Sequence, residues 1–193
     1  MRVAVYGGSF DPPHLGHVMV VAHLLLNEPS LDEVWIVPCF EQAGKHLTPY
    51  SHRLQMCDLA FGQFHRCRVN DVERKLGGES ITLRTFKYLA HVHPNDKFQF
   101  VIGSDLLESV ATWGNWDELC KIAPPLVVGR AGITSPQNPT PICPAVSSTL
   151  VREALAAGRY GEAERYLSVG VLHHICNNEL YVTSKGLQPC VAP

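Results

Sequence analysis

His14 and His17 stand three residues apart in GGSFDPPHLGH, behind Gly7, Gly8 and Ser9. At helical spacing the two imidazoles share the face of one first turn. A helix start carries unpaired amide donors and a partial positive charge, so imidazoles added there make a site for phosphate oxygens. Each ring can donate a hydrogen bond or take up a proton beside a polyphosphate. One histidine at such a place is more often a cap or a surface residue; two, behind a strand and two glycines, point to anion binding. A second helix start lies late in the chain, in AVSSTLVREALAAG, where Ser147, Ser148 and Thr149 precede Arg152. Ser147 or Ser148 reads as its cap and Gly158 as its stop, and three hydroxyls beside a cation suit a phosphate as well as they suit capping.

The elements that must position these groups alternate regularly. RVAVY at the start is an apolar, β-branched run of the kind buried on both faces of a parallel sheet. LDEVWIVP, CRVNDVE, KFQFVIGSD and APPLVVGRAG give four further strands, the third of all running into a loop. Helices are expected from His14 or Leu15 through VMVVAHLLLNE, over Tyr50–Phe61 with Ser51 as cap, over ITLRTFKYLAHV with Ser80 as cap, and over the closing VGVLHHICNNELY. Gly7 and Gly8 are expected to supply backbone angles closed to other residues. The pattern predicts an α/β fold: a single Rossmann-like domain over residues 1–193, with a doubly wound parallel sheet of about five strands and the last dozen residues as a tail. The first strand is central and the site lies at the carboxyl edge.

Residues at that edge are further candidates. Lys45, in the loop CFEQAGKH, either meets a phosphate or is a solvated loop lysine. Asp105 closes the fourth strand, where it either caps the next helix or binds a ribose hydroxyl or a metal. Trp113 and Trp116 lie three apart, and packing suits both. Arg130 ends the fifth strand before a proline-rich loop over Ile133–Pro144 and carries a planar fork suited to a carboxylate or phosphate. Arg53, in the second helix, reads as a structural ion pair with Asp58 or a neighbouring carboxylate as readily as a site residue. His23, His173 and His174 read as structural.

With 193 residues and a formal net charge of −2, the chain is long enough for one well-buried core and lacks the basic stripe of a nucleic-acid binder. Seven cysteines without a CxxC pair, no leader and no long apolar span suggest reduced thiols in a cytoplasmic protein. Cys39, Cys57, Cys67 and Cys176 read as small core residues, and Cys190 has no assigned role.

GGSFDPPHLGH resembles the signature of the HxGH nucleotidyltransferase superfamily, and SSTLVR resembles its second motif, SSTxxR. With GSD and TWGNW between them, in that order, the chain looks most like the bacterial nicotinate mononucleotide adenylyltransferases, from Met1 to about Tyr181. The resemblance implies an enzyme that moves the adenylyl group of ATP to a pyridine mononucleotide, with Mg²⁺ accompanying ATP and no dedicated protein ligands for it. It implies that His14, His17 and Arg152 are catalytic. It places Gly7, Gly8, Ser9, Phe10, Gly103, Asp105, Ser147, Ser148 and Thr149 on ATP, and Lys45, Thr82, Trp113 and Arg130 on the second substrate. Trp113 would stack on the pyridine ring, Arg130 favours an acid on that ring, and a homo-oligomer is compatible with the pattern. Departures are Ser9 for Thr, Ile81 for Tyr, Arg84 for an acid, and GKH for PHK at Lys45. Pantetheine-phosphate adenylyltransferases and cytidylyltransferases share the ATP half of the pattern, and a nucleotide-binding regulator without catalysis is the reading from another class.

Overall fold

The structure is a computed structural model and describes residues 1–107, 110, 114–129 and 144–182. Five strands, β1 (Arg2–Gly8), β2 (Glu33–Pro38), β3 (Cys67–Val69), β4 (Lys97–Gly103) and β5 (Pro125–Val128), form one sheet in the order β3-β2-β1-β4-β5. All neighbours are parallel. The central place of β1 agrees with its reading as a strand buried on both faces: Val3, Ala4 and Val5 are all closed off from solvent.

Helices cover both faces: α1 (Leu15–Asn27), α2 (Tyr50–Phe61), α3 (Val72–Leu76), α4 (Thr82–Val92), α5 (Trp116–Ile122), α6 (Ser148–Ala156), α7 (Tyr160–Ala163) and α8 (Val169–Asn177). The period-two alternation of the strands sorts them. Ala4, Val34, Ile36 and Val101 face a layer built from α1, α2, α6 and α8, whose core includes Val21, Leu24, Met56, Phe61, Leu155 and Ile175. Val3, Val5, Trp35, Val37, Phe98, Phe100 and Ile102 face α3, α4 and α5 through Val72, Phe86, Leu89 and Leu119. Successive strands step from β1 to β3 on one side and then resume with β4 on the other, so the order reverses between β1 and β4. Ligand crevices open at such reversals.

Several local expectations change. CRVNDVE does not run into a loop; Val72–Leu76 is a short helix, which brings Glu73 into the interior at 4 % exposure. Ser51 does not cap α2, which starts one residue earlier behind Pro49. Ser80 does not cap α4, whose cap position is Ile81; its Oγ instead accepts the amide of Phe40 at 2.8 Å. The left-handed backbone expected of Gly7 and Gly8 falls on Phe10 (φ 46°), while both glycines continue β1. A side chain on Gly8 would come within 3.2 Å of the Phe10 ring. Cys176 is disulfide-bonded, which corrects the expectation of wholly reduced thiols. Ser147 caps α6 as expected, accepting the amide of Leu150 at 3.2 Å. Ser147→Ala should lower stability by about 1 kcal/mol in urea unfolding, the usual loss for a cap of this kind.

His174 of α8 is buried, and its Nε2 lies 3.0 Å from Nδ1 of His52 on α2. Its Nδ1 faces the Asn178 amide at 3.5 Å. Burial first, and His52 second, hold its pKa below the ordinary histidine value. The folded state therefore binds this proton less readily than the unfolded chain, so stability is intact above about pH 6.5 and declines as the pH falls through it. Unfolding midpoints at pH 7.5 and 5.5 should show this decline, and a His174→Gln variant should show less of it.

Candidate active site

The β1 to β4 ladder ends at Val5 and Phe100, although β1 runs on beside β2 to Gly8 and β4 beside β5 to Gly103. The two central strands thus part at their carboxyl ends and open a cleft of about 620 Å³. Its lining includes Tyr6, Gly7, Gly8 and Ser9 from one strand end and Ile102, Gly103 and Asp105 from the other. His14, Gly16 and His17 contribute from the start of α1, and Val146, Ser147 and Ser148 from the start of α6. Two helix amino termini, far apart in sequence, therefore open onto one crevice.

The first of these starts is built with some care. The His14 amide donates to Nδ1 of His17 at 3.1 Å. In the neutral ring this fixes the proton on Nε2, so His17 presents an N–H donor. The two imidazoles are stacked, with centroids 3.8 Å apart. Phe10 packs its edge against His17 at 4.9 Å and is itself buried between Tyr6 and Phe61. Phe10 thus supports the histidine, and its side chain does not line the cleft. Gly16 was not singled out in the sequence. A Cβ there would meet Val146 at 3.0 Å and the His14 ring at 3.1 Å, so the absence of a side chain lets the lead into α6 close against α1.

The second start is tied to the first through the connecting loop. Ser148 Oγ donates to the carbonyl of Pro12 at 2.9 Å, and Arg152 Nη1 to that of Asp11 at 2.6 Å. Arg152 Nη2 also donates to Thr149 Oγ1 at 3.2 Å. Arg152 and Thr149 stand beside the cleft, not in its lining. Asp11 is the junction: its carboxylate accepts Tyr181 Oη at 2.6 Å and the Thr48 amide at 3.2 Å. Burial and then Asp11 raise the pKa of Tyr181, so it stays a donor. In the sequence Asp11 reads only as part of the stiff connector Asp11-Pro12-Pro13 between β1 and α1.

Arg53 is buried, yet it forms no ion pair with Asp58 or any other carboxylate among the described residues. Its guanidinium donates instead to the carbonyls of Thr48, Ser9, Cys39 and Phe40 at 2.7–3.0 Å. It therefore clamps the loop after β1 to the loop after β2. Burial raises the pKa of Cys39, against the pull of Arg53, so this thiol on the cleft wall remains protonated.

Lys45 and Thr82 line the cleft on the side of α3 and α4, with Glu73, Ser80, Thr85 and Phe86. His46 is exposed and outside the lining. Asp105 is exposed in a 3-10 turn (Ser104–Leu106) and does not cap α5, whose cap position is Asn115. A side chain on Gly103 would meet Oδ1 of Asp105 and push that carboxylate aside. Trp116 packs half-buried against the α4 layer, as expected. Trp113, Arg130, the loop from Ile133 to Cys143 and Cys190 lie outside the described residues. Among those described, no group of three or more His, Cys, Asp or Glu could hold a metal by itself, and no helix is long and apolar enough to cross a membrane.

Residues 5–154 match the model of the cytidylyltransferase-like family. A probable nicotinate-nucleotide adenylyltransferase of Anaeromyxobacter dehalogenans is 38% identical over 180 residues, covering 85% of this chain and 95% of its own. One of Geobacillus kaustophilus is 34% identical over 196 residues, covering 96% and 85%. Among solved structures, the nicotinic acid mononucleotide adenylyltransferase of Plasmodium falciparum complexed with NaAD superposes with a TM-score of 0.80 at 23% identity, covering 93% of this chain and 97% of its own. A putative nicotinate-nucleotide adenylyltransferase of Vibrio parahaemolyticus superposes with a TM-score of 0.73 at 22% identity, covering 93% and 94%. A crevice at the reversal of a parallel sheet, two helix starts facing it, and relatives matched along nearly their whole length agree: the chain belongs to the cytidylyltransferase-like family, among its nicotinate-nucleotide adenylyltransferases.

Proposed function

We propose that this cleft transfers the adenylyl group of ATP to nicotinate mononucleotide, giving deamido-NAD and pyrophosphate. The observation that carries the reading is the meeting of the α1 and α6 starts on one crevice, with a separate wall from α3 and α4 for a second substrate. An oxygen of the mononucleotide 5′-phosphate attacks the α-phosphorus of ATP; the bond from that phosphorus to the α,β-bridging oxygen breaks, and pyrophosphate leaves with the electron pair. A phosphate is already a competent nucleophile, so no base or covalent intermediate is required. The rate comes from alignment and from donors on the developing charge.

In this reading His14 and His17 hold the α and β phosphates. The amides and hydroxyls of Ser148 and Thr149 serve the outer phosphates, with Arg152 contributing those of its five N–H donors not spent on Asp11 and Thr149. Gly7, Gly8, Ser9 and Gly103 let the nucleotide lie against backbone. Mg²⁺ fits as a companion of the ATP phosphates, with Asp105 the exposed carboxylate of the lining able to hold it or its water; when bound, it neutralises phosphate charge. Lys45 and Thr82 meet the mononucleotide, Trp113 stacks on its ring, and Arg130 takes the ring carboxylate, which favours the acid over the amide.

Pyrophosphate release tests this. The wild type should turn over ATP with nicotinate mononucleotide and prefer it to nicotinamide mononucleotide, with little release from phosphopantetheine or with CTP replacing ATP. Release with phosphopantetheine alone would transfer the chain to the pantetheine branch, preference for CTP would make it a cytidylyltransferase, and ATP binding without release would make it a regulator.

A further inference from the structure

Glu73 has no role in the mechanism above, and its surroundings are unusual for a carboxylate. It is 4 % exposed and belongs to the cleft lining. Oε1 accepts the hydroxyl of Thr85 on α4, while Oε2 is closed off from solvent with no hydrogen-bond partner among the described residues. No Lys, Arg or His of the described residues pairs with it. The same wall presents the apolar Val37, Phe86, Phe100 and Ile102 beside Lys45, Ser80 and Thr82. A buried carboxylate without a counter-charge is strongly unfavourable in an isolated protein, which makes it a mark of a cationic ligand at the cleft.

The chemistry of that ligand follows from the wall. An ammonium or guanidinium recognises a carboxylate by donating N–H bonds to it, and Oε2 is closed off from such a donor. A ribose hydroxyl would need direct access to Oε2, which is covered. A positive charge spread over a flat apolar ring needs neither: the ring faces apolar surface, and attraction acts across a few ångströms without a hydrogen bond. Resting on the adenylyl-transfer reading, we propose that Glu73 is a specificity-determining residue whose carboxylate, oriented by Thr85, is the counter-charge for the cationic pyridinium ring of the mononucleotide. The short helix α3 is what delivers it, since in a loop the same residue would be solvated.

The test compares nicotinate mononucleotide with its 1,4-dihydro form, which has nearly the same shape and a neutral ring. Calorimetric binding to the full chain with a non-hydrolysable ATP analogue present should show the wild type favouring the cationic ring by about tenfold. Glu73→Gln should weaken binding of the cationic ring about tenfold, leaving the neutral ring and the ATP analogue within about twofold. A variant that weakens both rings equally would make Glu73 a merely structural residue and overturn the assignment. Should the variant fail to fold, the wild type decides alone: equal affinity for the two rings, or binding of neither, overturns it. Wild-type protein that binds the rings unequally as expected but releases no pyrophosphate would instead defeat the catalytic reading and keep Glu73 as the ring's counter-charge.

Discussion

His17→Ala is expected to lower turnover by about 100-fold or more, the scale of losing one preorganised donor in the transition state. The expectation rests on how the ring is held. Its Nδ1 is committed to the His14 amide, and Phe10 and His14 pin its plane from two sides. The remaining nitrogen must carry the hydrogen, so the donor is set before substrate arrives and needs no reorganisation during the reaction. Two further variants separate chemistry from support. In His17→Asn the side-chain oxygen can still accept the His14 amide, but nothing reaches the Nε2 position, so turnover should fall as far as in alanine with little loss of stability. In His17→Gln the amide reaches further, and part of the rate should return. Equal turnover in all three, close to wild type, would remove His17 from the reaction.

Arg53→Met should have the largest effect on stability, about 3–5 kcal/mol in urea unfolding. Methionine fills much of the volume, so the loss is not a cavity; it comes from four carbonyls deprived of donors where two loops meet. Because one of those carbonyls belongs to Ser9 and another to Cys39, both in the cleft lining, turnover should also fall at temperatures where the variant remains folded. Arg53→Lys keeps the charge but cannot reach four divergent acceptors, and should recover less than half of the stability. A variant as stable as wild type would show that water replaces the guanidinium without cost.

The strands, their parallel order and the outer helices were legible because apolar period and turn residues agree there with the final packing. β1 is the clearest case: Val3, Ala4 and Val5 are consecutive apolar residues, so both faces of the strand call for burial. The residue types marked two helix starts at His14 and Ser147, and it was the resemblance to the HxGH and SSTxxR motifs that implied their convergence. What the sequence concealed were groups whose role depends on long-range partners. Arg53 offers four donors, but nothing local says that its acceptors lie in the loops after β1 and β2. Asp11 reads as a connector residue until Tyr181, Thr48 and Arg152 arrive around it. Glu73 sits in a five-residue helix too short to show periodicity, and its burial is decided by α4. Gly16 could have been found, because a glycine inside a helix costs about 1 kcal/mol against alanine and so asks for a packing reason. Ser51 and Ser80 were misplaced as caps by one or two residues, the ordinary uncertainty of helix ends.

The proposed reaction needs both helix starts on one polyphosphate. Its most direct test is the structure of the chain bound to α,β-methylene ATP. The α and β phosphates are expected within hydrogen-bond reach of the His14 and His17 imidazoles, with the γ phosphate at the amides of Ser148 and Thr149. A triphosphate seated on one start alone, or outside the cleft between β1 and β4, would contradict it.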